Sequence, residues 1–382
     1  MPLLRVPGLG ETPMPEMRQD PASLARGDVR ALPLYSPAIM DDALDLSDSV
    51  NAWGAPPAAL RALLAPAGAL VSRYPSPRSE SLAPLLLHYL GLEAVDGVRV
   101  VTGCGSDDVL DAAMRAFGSP GDRIAFSSPT FSMVPLFARL NGLEPVSVPF
   151  ADGFDLDADR LVAAGAKLTY LCAPNNPTGT GVSRAAVEHV ASQAKGIVLL
   201  DEAYAEFAPE SFAGLVARHE RLLIVRTFSK AFGLAGLRVG YAAGADALVG
   251  MVERARGPYK VSVLAELAAR ASLADSEDAL GWVHRHVRLA VEIRERVADA
   301  LRGMGLEPLS SASNFLCIPT PDAARIADRL RERQVLVRCF TGLPREPQPL
   351  AASRGAALRV AVGPWEMMER FLNTLAEVRA CA

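Results

Sequence analysis

From about residue 50 onward, short and uniformly apolar runs alternate with stretches in which apolar residues recur every three or four positions. The short runs predict strands over 98–102, 123–126, 168–172, 197–200, 222–226 and 239–242. Helical spacing fills the intervals, for instance over 107–117 and 184–193. A run such as IVLL at 197–200 has no polar face, as a strand covered on both sides requires. Strands separated by helices imply crossover connections and a mostly parallel sheet. Past residue 255 the texture changes to a long helical stretch, 262–303, followed by short strands around 314–318 and 358–362. Segment 342–357 (GLPREPQPLAASRGAA) reads as an irregular loop, and the proline-rich first 45 residues as an arm lying on another surface. The expected fold is α/β, with the arm at 1–45 and a large domain at 46–255 whose mostly parallel sheet carries helices on both faces. A smaller α+β domain, 256–382, is formed by the C-terminal part together with the arm.

Composition narrows the function without naming it. Half of the 382 residues are hydrophobic, 21% are charged and the net charge is −4. No basic block suggests nucleic acid as a partner, and no apolar run reaches membrane-spanning length. Five scattered cysteines without C-x-x-C spacing indicate neither a disulfide framework nor a metal cluster, so a reducing cytoplasm is expected. One detail is more informative. Of 39 basic residues only four are lysines, Lys167, Lys195, Lys230 and Lys260. Lys230 sits inside the apolar, glycine-punctuated run RTFSKAFGLAGLRVGY. Arginine stays protonated, whereas a lysine whose pKa is lowered by burial can act as a nucleophile.

Open parallel sheets bind ligands at the carboxyl ends of their strands, and four polar segments follow predicted strands here. VTGCGSDD (101–108) is a glycine turn opening a helix whose free N–H groups suit an anion. It lacks the G-K-[ST] of a Walker loop, and Asp108 replaces the third glycine of a dinucleotide fingerprint. LCAPNNPTGTG (171–181) sets Asn175 and Asn176 between prolines. GIVLLDEAYAEF (196–207) delivers Asp201 from a buried strand, followed by Glu202 and Tyr204; a buried carboxylate needs a partner to stay ionised. The fourth segment places Thr227, Ser229 and Lys230 at the same edge. A turn or helix cap is the plain alternative for each of the first three segments, and a solvated lysine at a helix start for the fourth, which Phe228, Ala231 and Phe232 disfavour. A serine–lysine hydrolase dyad lacks any oxyanion-hole pattern. Together the four supply an amine, an acid and phosphate donors, the set that pyridoxal 5'-phosphate requires.

With GCGSDD, PNNPTG, DEAYAEF, RTFSKAFGLAGLRVGY, SNFLCI and LRVAVG in this order, residues 50–365 resemble the fold type I pyridoxal phosphate aminotransferases of class I/II. The likeness is nearest to their histidinol-phosphate branch. The resemblance implies that Lys230 holds the cofactor as a Schiff base and that Asp201 pairs with its ring nitrogen. It further implies that Asn176 and Tyr204 bond the ring hydroxyl, and that Phe131 stacks on the ring. Gly105, Ser106, Asp107, Thr227, Ser229 and Arg238 would hold the phosphate, and Tyr74 would reach the phosphate of the neighbouring subunit in a homodimer. Arg359 would clamp the substrate carboxylate, with Arg338 as a second anion contact and Asn51 nearby. The implied reaction is ping-pong transfer between a small-molecule amino donor and a 2-oxo acid, in amino-acid (histidine) biosynthesis. Trp53 in SDSVNAWGAPP and Cys104 depart from the family's usual residues. An aromatic or other amino acid as substrate, or a lyase or decarboxylase reaction on an amino acid phosphate, stays open on the residues alone.

Overall fold

A computed structural model describes residues 20–32, 34, 40–64 and 71–380. Met1–Ser36 and Pro37–Ala382 form separate compact units. The described part of the first holds a 3-10 turn, Pro21–Leu24, and one helical turn, Gly27–Arg30; the remainder of the predicted arm's first 39 residues lies largely outside the described residues.

The second unit contains two sheets. Eleven strands are described: β1 (Leu44–Leu46), β2 (Val98–Cys104), β3 (Arg123–Ser128), β4 (Glu144–Pro149), β5 (Leu168–Cys172), β6 (Ile197–Asp201), β7 (Leu222–Thr227), β8 (Val239–Ala245), β9 (Phe315–Pro319), β10 (Val335–Phe340) and β11 (Ala357–Ala361). The large sheet has the order β2-β8-β7-β6-β5-β3-β4. All neighbours in it are parallel except β8, which runs against both β2 and β7.

Alternate side chains of these strands enter two different cores, the direct consequence of the two-residue period. Ala125, Leu171, Val198, Leu200, Leu222 and Ile224 face one core with Val187 and Val190 of the helix Arg184–Gln193. Ile124, Tyr170, Leu199, Leu223 and Val225 face the other, with Val109 and Leu110 of Gly105–Phe117 and Val249 and Val252 of Asp246–Arg256. Both faces are therefore covered. In the small sheet, ordered β1-β10-β11-β9, β1 pairs parallel with β10 and the other neighbours are antiparallel. Its core is shared with the helices Leu280–Gly303, Ala323–Glu332 and Trp365–Ala380.

Three expectations change. The helical stretch 262–303 is two helices, Val263–Ser272 and Leu280–Gly303, because LADSEDA between them offers turn residues where a helix would need a face. Segment 342–357 contains the short helix Gln348–Ala352. β4 and β10 were not anticipated: EPVSVP has two prolines that an edge position tolerates, and VLVRCF is interrupted by Arg338 and only half-buried past Leu336.

Candidate active site

Strand direction decides what meets at the carboxyl edge. β2, β5, β6 and β7 end there at Cys104, Cys172, Asp201 and Thr227, and the antiparallel β8 starts there just after Arg238. The predicted segments therefore share one edge.

The helix Gly105–Phe117 begins directly from β2, and its N-cap Cys104 provides no side-chain cap. Gly105 takes φ +80°, and a Cβ there would lie 2.6 Å from Arg238 Nη2. At Gly240 a Cβ would lie 2.2 Å from the backbone nitrogen of Ser106. These two glycines let the helix start, β8 and Arg238 converge. Arg238, itself left-handed at φ 54°, donates to Ser229 Oγ at 3.4 Å and to Asp107 Oδ2 at 3.3 Å. Thr227 Oγ1 donates to Ser229 Oγ at 2.9 Å and accepts the Ser229 backbone N–H at 3.1 Å. Ser106 and Asp107 are half-buried in the same cradle. Burial pushes the Asp107 carboxyl up, against the pull of Arg238 and Lys230.

Asp201 is 3% exposed. Its Oδ2 accepts the Tyr170 hydroxyl at 2.8 Å and its Oδ1 the Ala203 backbone N–H at 3.0 Å. Desolvation nevertheless raises its pKa to about 6, against those two hydrogen bonds. Lys230 is half-buried, with its Nζ 5.6 Å from the centroid of the Tyr204 ring. Desolvation first, then the charge of Arg359, lowers its pKa to about 8, with Asp48 and Asp107 opposing. Burial keeps the Tyr204 phenol protonated although Arg359 pulls the other way. Tyr204 packs edge-on against Phe315 of β9 at 5.2 Å, which joins the two sheets at the site.

The two asparagines separate in role. Asn175 is buried and committed: its amide donates to Pro129 O at 3.0 Å and to Thr178 Oγ1 at 2.8 Å, and its Oδ1 accepts from Thr130 Oγ1 at 2.9 Å. Asn176 is half-buried, and its Oδ1 accepts from Arg359 Nη1 at 2.8 Å. Arg359 Nη2 donates to the Ser47 carbonyl at 2.7 Å, while its buried Nε has no partner. Arg338 on β10 is the direct cross-strand partner of Arg359 on β11. Asn51 donates to the Ala231 carbonyl at 2.9 Å and accepts from Trp53 N at 3.0 Å, tying its loop to the residue after Lys230. Phe131 is half-buried against the sheet core.

Two of the residues singled out in the sequence point away from this edge's cluster. Tyr74 is 82% exposed and stacks on Tyr259 at 4.8 Å. Glu202, beside Asp201, turns away to a buried ion pair with Arg226. Sequence reading did not single out Tyr170, Ser47 or Asp48. The signal for Tyr170 was present: a tyrosine in a fully buried strand needs a partner for its hydroxyl.

The residues fit pyridoxal phosphate on three counts. An uncapped helix start meets a guanidinium and two hydroxyls. A buried carboxylate lacks a cation, and a lysine of lowered pKa has no ion-pair partner among the described residues. A fold with this site is that of a pyridoxal phosphate-dependent aminotransferase. The chain matches the model of aminotransferase class I and II over residues 41–375, and it belongs to that family. A histidinol-phosphate aminotransferase of Roseiflexus castenholzii is 37% identical over 380 residues, 93% of this chain and 98% of that one. Another, from Methylibium petroleiphilum, is 36% identical over 363 residues, 93% and 94% of the two chains. The crystal structure of histidinol-phosphate aminotransferase from Sinorhizobium meliloti in complex with pyridoxal-5'-phosphate superposes with a TM-score of 0.82. It is 26% identical and covers 94% of this chain and 99% of that chain.

Proposed function

We propose that this aminotransferase moves an amino group between L-histidinol phosphate and 2-oxoglutarate. The observation that carries the substrate reading is the Arg338–Arg359 pair, two guanidinium-bearing residues directly opposite on antiparallel strands. Planar guanidinium forks at facing positions suit the oxygens of an anion, and the phosphate of one substrate and the carboxylates of the other both offer them. The names of the relatives agree with this reading.

Bound pyridoxal phosphate supplies an electron sink for the carbanion left when Cα loses its proton. The chain's own groups do the rest. Asp201 would hold the proton on the ring nitrogen, a role supported by its burial without a cation of its own among the described residues. Asn176 and Tyr204 would hold the ring hydroxyl, and Phe131 would cover a ring face. The backbone of Gly105, Ser106 and Asp107 would hold the phosphate together with Thr227, Ser229 and Arg238. Lys230 would be the amine that holds the cofactor aldehyde and, when free, would take the proton from Cα. With its pKa lowered to about 8, a useful fraction of that amine is neutral near pH 7.5. Arg359 binds the anionic end of the substrate, aided by Arg338 and Asn51.

We further propose a cytoplasmic homodimer in which Tyr74 completes the partner's phosphate site, and a division at residues 46–255 and 256–382. High exposure of Tyr74 supports the first point. Among the described residues no helix is long and apolar enough to cross a membrane.

The test is spectroscopic. Holoenzyme is mixed separately with L-histidinol phosphate, glutamate and phenylalanine, and the visible band of the bound aldehyde is followed. Histidinol phosphate and glutamate are expected to convert it to the amine form, and Arg338→Gln to raise the KM for histidinol phosphate roughly tenfold or more. Conversion by phenylalanine alone would overturn the substrate and keep the reaction class.

A further inference from the structure

The opposite edge of the large sheet, at the amino ends of its parallel strands, carries a feature that amino transfer does not use. A hollow of about 600 Å³ opens there, where β3, β5 and β6 begin; small-ligand sites have this size. Four cationic residues line it, Arg123, Lys167, Lys195 and Arg221, and Asp122 is the sole carboxylate in the lining. Half of the chain's four lysines thus lie at this one place.

The backbone sets them side by side. Lys167 N–H donates to the Arg123 carbonyl at 2.9 Å, Ile197 N–H to the Lys167 carbonyl at 3.0 Å, and Val198 N–H to the Arg221 carbonyl at 2.9 Å. The Arg221 guanidinium donates to the Lys195 carbonyl at 2.8 Å. Neighbouring strands stand about 4.8 Å apart, so the cations form a row across the sheet edge. Gly196 keeps that row tight, since a Cβ there would lie 2.0 Å from the Lys167 carbonyl oxygen.

Among the described residues none of the four is in an ion pair. Other surface arginines, such as Arg115, Arg160, Arg184 and Arg218, each hold a carboxylate. Asp122 is in no ion pair with the row among the described residues; its Oδ2 accepts the Ser119 backbone N–H at 2.9 Å and caps its own turn. Exposed basic residues are ordinarily a solvated surface. Here four of them converge on a hollow, unpaired, in a chain of net charge −4 with more acids than bases to pair them.

We propose that this hollow binds an anion carrying at least two linked phosphate groups. A row spanning several strands is longer than one orthophosphate. Arginine forks and lysine ammonium groups are the side chains that suit phosphate oxygens. Phe117 and Ile197, both half-buried in the lining, give an apolar wall against which a nucleoside could rest. Inorganic pyrophosphate and a nucleoside polyphosphate are therefore the two sources of the same chemistry.

The test titrates holoenzyme, its cofactor in place, with pyrophosphate, ATP and orthophosphate by calorimetry at two salt concentrations. Pyrophosphate and ATP are expected to bind saturably and roughly tenfold or more tighter than orthophosphate, with affinity falling as salt rises. ATP binding tighter than pyrophosphate identifies a nucleotide; equal affinity identifies the inorganic anion. The double variant Lys167→Gln/Lys195→Gln should weaken binding by roughly tenfold or more. Arg338→Gln, in the other sheet, should leave it unchanged, which separates this hollow from the substrate site. A measurement on the unaltered protein stands beside the variants. Pyrophosphate should slow acylation of Lys167 and Lys195, and not of Lys260, as read by peptide mass. No saturable binding, or binding unchanged in the double variant without protection of these lysines, overturns the proposal.

Discussion

Asp201 and Lys230 are each held where burial opposes their charge. Asp201 titrates at about 6 in the folded chain against 3.8 in a free side chain. Between those values the folded state binds the proton more tightly. Its contribution is therefore stabilising at low pH and is lost as pH rises through about 6. The cost above that point is on the order of 3 kcal/mol. Lys230 is the mirror case. Its depressed pKa of about 8 costs stability below pH 8, and the cost is relieved as pH climbs toward 10.5. A cationic ring nitrogen held beside Asp201, as proposed, would remove the first cost, so the apoprotein is where the cost is visible. Asp201→Asn is expected to raise the apoprotein melting temperature at pH 8 by more than at pH 4.5, while lowering holoenzyme turnover. An equal shift at both pH values would show that burial does not strain this carboxylate, and normal turnover would remove it from the site. Lys230 was legible in the sequence because the chain otherwise uses arginine for charge, and an amine set among Phe228, Ala231 and Phe232 is poorly placed for solvation. Ser47 was not legible, because it acts through its backbone carbonyl on Arg359, and a carbonyl leaves no mark on residue type.

At the scale of elements, β6 and β7 end in residues for the site and also in the ions that fix their ends. Arg226 is buried and donates to Glu202 at 2.8 Å and to Glu206 at 3.3 Å, and Phe212 N–H donates to Glu202 at 2.6 Å. Tyr89 donates to Glu206 at 3.2 Å from a helix on the other side of the network. Burial pushes the Glu206 carboxyl up, and the charge of Arg226 is the main restraint on that rise. Arg226→Met would leave two buried carboxylates without a cation, a loss of about 3–5 kcal/mol. Urea unfolding of the apoprotein measures it; a loss below about 1 kcal/mol would mean that the network relaxes or takes up water. Strands covered on both faces were readable for a related reason. Burial on two sides forces an unbroken apolar run, as in 197–200 and 222–225. Strands with one exposed side or an edge position do not meet that demand, so β4, β10 and the three-residue β1 left weaker traces.

For the whole molecule, the open question is what Tyr74 faces. A tyrosine 82% exposed and stacked on the half-exposed Tyr259 has no contact with its own chain's site among the described residues. The proposed homodimer gives it one, and makes a prediction that a self-contained monomer does not. Tyr74→Ala should bind cofactor more weakly and turn over slowly, and Lys230→Ala should not turn over at all. In a mixed dimer, the subunit bearing Tyr74→Ala keeps its own Lys230 and receives an intact Tyr74 from its partner. One of the two sites is then whole. Random exchange makes half the dimers mixed, so activity should return to about a quarter of the wild-type value. The same mixture would show only the residual activity of Tyr74→Ala if that tyrosine served its own subunit. Full activity in Tyr74→Ala alone would release the residue from the site. A single chain's sequence carries the fold and its own half of the site because burial and hydrogen bonding within the chain constrain those residues. What a second copy supplies is constrained only across an interface, so in the proposed homodimer an exposed Tyr74 is what this chain's own burial would leave behind.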